Sequence, residues 1–128
     1  MTHAHAGLQG LTVLVGEPGP VRGSALHDAL TTAGLHVIGP MRDAASLREM
    51  LDVFVVDAVL VNALMLRGPA APALPPLAAG TGLLVFGSPA MLAAIPLPPG
   101  ARRLAGPATP AALRRNLGRL LAARPRPV

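Results

Sequence analysis

The chain has 128 residues, of which 52% are hydrophobic and 13% are charged, a composition that suits one folded domain and argues against disorder. It contains no cysteine, which excludes disulfides, thiol catalysis and cysteine metal sites. The formal net charge is +5, and every basic side chain other than histidine is arginine. A mechanism that needs a lysine ammonium group is therefore excluded.

We expect a flexible N-terminal tail over residues 1–9, one domain over residues 10–123 and a flexible C-terminal tail over residues 124–128. The N-terminus has no basic region followed by an apolar run, so no signal peptide is predicted and cytoplasmic localisation is expected. Residues 68–101 include no charged side chain, but eight prolines interrupt them. No membrane-spanning helix is therefore predicted.

The first half of the domain begins with a predicted strand at residues 11–15, a short apolar run typical of a parallel sheet buried on both faces. Apolar residues then recur at helical spacing over residues 21–33, with Pro20 suited to the first turn and Gly34 to the end of the helix. A second strand is predicted over residues 35–38.

The middle of the chain alternates in the same way. Asp43 is placed to cap a second helix, and a third strand is predicted over residues 58–61, leading into Asn62. Residues 69–80 contain too many prolines for a long helix, which favours a short or irregular one.

In the last third, a fourth strand is predicted over residues 83–86 and a short helix over residues 90–94. A fifth strand, weak by propensity, is predicted over residues 102–105. Thr109 and Pro110 then supply a cap and a first-turn residue for a final helix. The apolar face of that helix consists of Leu113, Leu117, Leu120 and Leu121.

Five strands that alternate with helices predict right-handed βαβ units and a doubly wound parallel sheet, with helices on both faces in three α/β/α layers. Functional groups in such sheets gather at the carboxyl ends of the strands. The residues predicted at those ends are Gly16, Glu17, Asn62, Gly87, Ser88 and Gly106.

The order and spacing of several short phrases resemble the receiver domain of two-component response regulators, from about Leu11 to Ala123. The phrases are residues 11–18, 34–40, 57–62, 83–88 and 106–107. The resemblance is greatest to receivers that stand alone or are fused to sensor kinases. It implies a flavodoxin-like, five-stranded sheet in the order 2-1-3-4-5.

In a competent receiver, the resemblance implies acidic residues after the first strand that bind Mg²⁺ and an aspartate at the end of the third that accepts a phosphoryl group. It also implies a Ser or Thr after the fourth strand and a Lys after the fifth. This chain departs from that pattern at each position. The corresponding residues are Gly16 and Glu17, then Asn62, then Gly87 with Ser88 beside it, and finally Gly106.

These departures predict a degenerate phosphorylation pocket with no catalytic residue, no enzyme activity and no cofactor. Glu17 is interpreted as a partly exposed, solvated acid, and Mg²⁺ binding by this single carboxylate is not expected. Asn62 is predicted to hydrogen-bond the neighbouring loop. His3 and His5 form a His-x-His pair in the tail, but without further fixed ligands no metal site is predicted.

Arginines are concentrated near the end of the chain. In the receiver family this edge is the usual surface for dimers and partners, so the predicted partner-binding face consists of Arg102, Arg103, Arg114, Arg115 and Arg119. Nucleic acid is disfavoured because the chain has no Tyr or Trp, and Phe54 and Phe86 are both predicted to lie in core strands. The arginine cluster is most simply a solvated basic face. Among possible partners, an acidic protein surface is favoured over nucleic acid.

The leading hypothesis is a pseudo-receiver that acts in two-component signalling without phosphorylation. It would dock onto a sensor kinase, another signalling protein or a second copy of itself through the last strand and helix. Two alternatives remain open. One is a basic nucleic-acid-binding module, and the other is a sensor whose small ligand occupies the space vacated near Gly16, Asn62, Gly87 and Gly106.

Overall fold

A computed structural model of the protein describes residues 8–67, 74 and 77–123. Five parallel strands form one sheet in the order β2-β1-β3-β4-β5. The strands are β1 (Thr12–Gly16), β2 (His36–Met41), β3 (Ala58–Asn62), β4 (Gly82–Gly87) and β5 (Arg102–Ala105). The helices are α1 (Pro20–Thr32), α2 (Ala44–Val53), α3 (Pro89–Ala94) and α4 (Pro110–Ala123), with a 3₁₀ turn at Ala63–Leu66.

Two apolar layers cover the sheet, because successive side chains of a strand point to opposite faces. Val13 and Val15 pack in one layer with leucines of α1 and α4. Leu14, between them, packs in the other layer with Leu47 of α2 and Leu92 of α3. The predicted α/β class, strand order and three-layer arrangement are confirmed.

Polar caps fix the starts of two helices as predicted. The Ser46 N–H donates to Asp43 Oδ1 at 2.8 Å, and the Ala112 N–H donates to Thr109 Oγ1 at 3.2 Å. The hydrogen bond from Ser46 holds the pKa of Asp43 below its ordinary value. Gly34 has a φ of +92°, the left-handed conformation that ends α1 and leads into β2.

Three local expectations are corrected by the tertiary contacts. The second strand begins and ends later than residues 35–38, because it continues through Gly39 and Pro40 beside β1. Phe54 is not in a core strand but follows α2, where its N–H continues the helical pattern to Met50 O and its side chain is 47% exposed. Leu8, assigned to the tail, is buried in the α1 and α4 layer.

The remaining predicted segments fall mainly on residues that the structure does not describe. These are residues 1–7 and 124–128 of the tails and most of the proline-rich stretch at 69–80. Among the helices that are described, none has the length and apolar content needed to cross a membrane.

Candidate functional site

The carboxyl ends of β1 and β3 bring Glu17 and Asn62 together at the centre of the sheet. The two strands are parallel neighbours, and Gly16 pairs with Val61, so the residues that follow these two meet side by side. Asn62 Nδ2 donates a hydrogen bond of 2.8 Å to Glu17 Oε1. The two residues are only 1% and 3% exposed. The candidate site is therefore a buried carboxylate and amide pair.

Each side chain of the pair also accepts a hydrogen bond from a main-chain N–H close to it in sequence. Glu17 Oε2 accepts from the Gly19 N–H at 2.7 Å, and Asn62 Oδ1 accepts from the Leu64 N–H at 2.9 Å. Arg22 Nη1 lies 3.9 Å from Glu17 Oε1, but its side chain is 63% exposed, so solvent weakens this ion pair. The predicted bond between Asn62 and the neighbouring loop is confirmed.

The prediction that Glu17 is partly exposed is wrong. A carboxylate leaves water only where hydrogen bonds replace its hydration, and here the Gly19 N–H and the Asn62 amide supply them. The first donor is local in sequence, whereas the second is 45 residues away. The composition of the Gly/Pro turn indicates a surface loop and gives no signal of this distant donor.

Side chains of the 3₁₀ turn fill the space beside two of the glycines. A methyl group added at Gly16 would lie 3.1 Å from both Met65 Sδ and Val61 Cγ2, and one added at Gly87 would lie 3.0 Å from Ala63 Cβ. Such distances are shorter than ordinary van der Waals contact. The absence of side chains at Gly16 and Gly87 has therefore not left an empty cavity there.

Ser88 and Gly106, at the ends of β4 and β5, have structural roles. The Met91 N–H donates to Ser88 Oγ at 3.2 Å, so this hydroxyl caps α3. Gly106 has a φ of +94°, which other residues adopt only with strain, and no atom lies within 4 Å of a Cβ placed there. Ser88 and Gly106 therefore serve the local structure at the ends of their own strands, whereas Glu17 and Asn62 bond to each other.

An open pocket of about 290 Å³ lies on the other side of Glu17, between α1 and the end of β2. Its lining residues are Glu17, Gly19, Pro20, Gly23, Ser24, His27, Pro40 and Arg42. Over the described part of the chain, no three His, Asp or Glu side chains form a group suited to a metal ion.

The arginines of β5 point to opposite faces of the sheet. Arg102 Nε donates to Asn116 Oδ1 of α4 at 2.9 Å, while Arg103 reaches the other face and donates to the carbonyls of Leu92 and Ile95 at 3.4 Å. Consecutive strand residues alternate in this way, so the predicted face is not a single flat surface. It wraps around the edge of the sheet.

On α4, Arg115 and Arg119 are exposed and lie one turn apart on the same side of the helix, and Arg114 is half-buried. We call β5, α4 and the five predicted arginines the basic edge. The five arginines of the basic edge are Arg102, Arg103, Arg114, Arg115 and Arg119.

Comparison with known proteins identifies the fold. No family model and no curated protein matches the chain. Among solved structures, it is similar to a response regulator receiver protein from Sinorhizobium medicae, with a TM-score of 0.65 and 21% identity over 90% of this chain and 97% of that one. A fusion protein carrying the trimeric coiled coil of yeast Spc42 has a TM-score of 0.64 and 15% identity, over 90% and 77% of the two chains.

Likeness at this level of identity establishes a fold, and the fold is receiver-like. The parallel sheet in the order 2-1-3-4-5, with helices on both faces, is the flavodoxin-like arrangement of the Sinorhizobium receiver protein.

Proposed function

We propose that the protein is an atypical receiver that acts in two-component signal transduction by binding another protein, without phosphoryl transfer, enzyme activity or a cofactor. The hydrogen bond between Glu17 and Asn62 carries this proposal. In a receiver, these two positions would hold a metal ligand and the phosphoryl acceptor. In this chain, the two side chains bond to each other instead.

The chemistry of the pair supports this interpretation. Phosphoryl transfer needs a carboxylate nucleophile and a divalent cation against the developing charge. Asn62 has an amide instead, whose Nδ2 donates to Glu17 and whose Oδ1 accepts from Leu64. Since Glu17 also accepts from Gly19, its two oxygens are engaged by donors of the chain itself.

The partner in this proposal is a sensor kinase, another signalling protein or a second copy of the chain, bound through the basic edge. Arg115 and Arg119 are exposed there. Because the pair at Glu17 and Asn62 has no phosphorylated state to report, binding would be constitutive and would depend on the partner's concentration rather than on phosphorylation.

Intact-mass spectrometry after incubation with acetyl phosphate and Mg²⁺ tests this proposal, with a competent receiver domain as the positive control. We expect the wild-type mass to stay unchanged. The variant Asn62→Asp is the matched companion, because it restores only the acceptor carboxylate. A stable, Mg²⁺-dependent phosphoryl adduct on the wild-type chain would contradict the proposal.

A small-ligand sensor is the second candidate, but at another place than the one predicted. The pocket of about 290 Å³ beside Glu17 favours it, and none of Gly16, Asn62, Gly87 and Gly106 lines this pocket. Its volume is at the lower limit of pockets that hold small molecules. A thermal-shift screen against nucleotides and metabolites tests it, since a ligand that binds the folded state must raise the Tm. Ser24→Trp, which would fill the pocket from α1, should abolish any such shift.

A further inference from the structure

Charge is segregated along the chain. All six acidic residues occur at or before Asp57, whereas the rest of the chain contains eight arginines and no carboxylate side chain. The strand order places β4 and β5 together at one end of the sheet. Asp57 is the last acidic side chain of the chain, so the basic edge is remote in sequence from every acidic side chain.

The arginines of the basic edge are held by neutral acceptors where the structure gives them partners. Arg102 donates to the side-chain oxygen of Asn116, and Arg103 donates to two main-chain carbonyls. The contacts between basic and acidic side chains found within the described ranges are Arg22 with Glu17 and His27 with Asp28, and both lie in the first half of the chain. Among the residues that the structure describes, the arginines of the basic edge are therefore held by neutral acceptors and by no carboxylate.

The main chain of β5 adds a second kind of recognition. β5 is the last strand of the sheet, and the Gly106 N–H just after it donates to Gly87 O of β4 at 3.2 Å. Because backbone groups alternate sides along a strand, those of Arg103 and Ala105 face the outer side of the sheet. An extended peptide could pair with these groups, as in other cases of strand addition.

We infer that the basic edge binds an extended, acidic segment of a partner protein, which adds to β5 as a sixth strand and places its carboxylates against the arginines. This inference rests on the proposed function and names the chemistry of the partner. Hydrogen bonds between the two backbones would align the segment with β5. The charges would provide selectivity for acidic segments and a fast association rate.

A second copy of the chain is a poor occupant of this surface. A two-fold dimer through β5 would place the arginines of one copy against those of the other, which is repulsive. The first half of the chain does not compensate, because its exposed acids are nearly balanced by exposed arginines. The acids are Asp28, Asp43, Glu49 and Asp52, and the arginines are Arg22, Arg42 and Arg48.

Nucleic acid fits the charge but not the rest of the surface. Base stacking needs exposed aromatic rings. Phe86 is 3% exposed in the core, and Phe54 follows α2, away from β5. A peptide can use both the arginines and the outward backbone groups of β5, whereas a duplex could use only the arginines.

Titration of the ¹⁵N-labelled full chain with synthetic peptides, followed by NMR, tests the inference. The probe is a peptide of about eight residues in which Glu alternates with Val, a length that suits one strand. Three comparison probes are its Lys-for-Glu counterpart, the same Glu peptide with alternate backbone N-methylation, and a DNA duplex. We expect the Glu peptide to perturb the amides of residues 102–106 and of α4, and to bind at least about tenfold tighter than the three other probes.

Two double variants separate this surface from a general charge effect. Arg115→Glu with Arg119→Glu should weaken binding at least about tenfold, whereas Arg42→Glu with Arg48→Glu, the same charge change at the other end of the molecule, should change it less than about twofold. All four side chains are exposed, so folding should be preserved, and the NMR spectrum verifies it.

Several outcomes would overturn the inference. These are no binding of the Glu peptide at low salt, equal binding of its N-methylated form, tighter binding of the duplex, or a dimer that Arg115→Glu and Arg119→Glu dissociate. None of these results bears on phosphorylation. An adduct with acetyl phosphate would instead overturn the proposed function, so the two failures are distinguishable.

Discussion

The end of β1 and the basic edge both carry charged side chains, but the protein treats them in opposite ways. Glu17 is 1% exposed and is surrounded by donors of its own chain. Arg115 and Arg119 are exposed, in a half of the chain that has no carboxylate side chain. A charge satisfied internally contributes to stability, whereas a charge without a counter-ion remains available to a partner. We therefore expect the strand ends to matter for stability, and we propose the basic edge as the recognition surface.

The largest expected effect comes from removing the buried carboxylate. Glu17→Ala would leave the Asn62 amide and the Gly19 N–H without their acceptor in a buried site, at a cost of about 3 kcal/mol in the free energy of unfolding. Urea denaturation followed by circular dichroism measures this. The control Glu49→Ala, on the exposed side of α2, should stay within about 0.5 kcal/mol of wild type. Equal losses in both variants would remove the distinction drawn for Glu17.

The same substitution in the two regions should give opposite pH dependences. Asn62→Asp places a carboxyl beside Glu17, which raises the pKa of the introduced group. The free energy of unfolding of this variant should therefore fall as pH rises, to about 2 kcal/mol below that of wild type at about pH 8. Asn116→Asp places a carboxyl beside Arg102, which lowers its pKa, so stability should rise between about pH 3 and about pH 5.

Denaturation curves of the two variants and wild type across this pH range provide the measurement. Asn116→Asp also loses the donor to Ala112 O, which costs about 1 kcal/mol at every pH. The trend with pH, rather than the absolute stability, is therefore the informative quantity. Parallel trends in the two variants would show that Glu17 and Arg102 do not set the local electrostatics.

Two glycines offer a smaller test of whether the strand ends are filled. Gly16→Ala should cost about 1 kcal/mol, because its methyl group would be crowded by Met65 and Val61. Gly118→Ala, in α4, has no neighbour within 4 Å of the added carbon and should gain up to about 1 kcal/mol from better helix propensity. Thermal unfolding of both variants measures the difference. A stabilised Gly16→Ala would indicate free space at the end of β1.

The smallest effect is expected at Asp43. Its pKa is lowered by the hydrogen bond from Ser46, so its contribution should be complete above the ordinary value of 3.8 and should disappear as pH falls through the lowered value. Wild type and Asp43→Ala should therefore differ most at neutral pH and converge in acid. Asp43→Ser, which keeps a capping oxygen without a charge, should lack this pH dependence.

Much of the fold was predictable because its signals are local. The fifth strand was predicted over residues 102–105 and is found there, although its propensity is weak, since the glycines and prolines around it fix its ends. The caps at Asp43 and Thr109 were predicted from residue type and from the apolar spacing that follows. Such signals depend on a few neighbouring residues.

The misplaced residues depended on distant partners. Phe54 looks like part of a strand because it lies among valines, but its N–H bonds to Met50 and its ring remains half exposed. Leu8 looks like part of a polar tail, yet it packs against the layer that α1 and α4 form. In both cases the hydrophobic pattern was ambiguous, and packing against another element decided the outcome.

By itself, the sequence determined the alternating α/β pattern, the absence of lysine and the presence of an asparagine, Asn62, at the end of the third strand. Only the tertiary structure decided that Glu17 and Asn62, 45 residues apart, are paired and buried, and that Arg102 and Arg103 turn to opposite faces of the sheet. The physical reason is that burial of a charge depends on donors brought by neighbouring strands, and strand order sets those neighbours. The residue types fix which groups are available, and the fold fixes which of them are already satisfied.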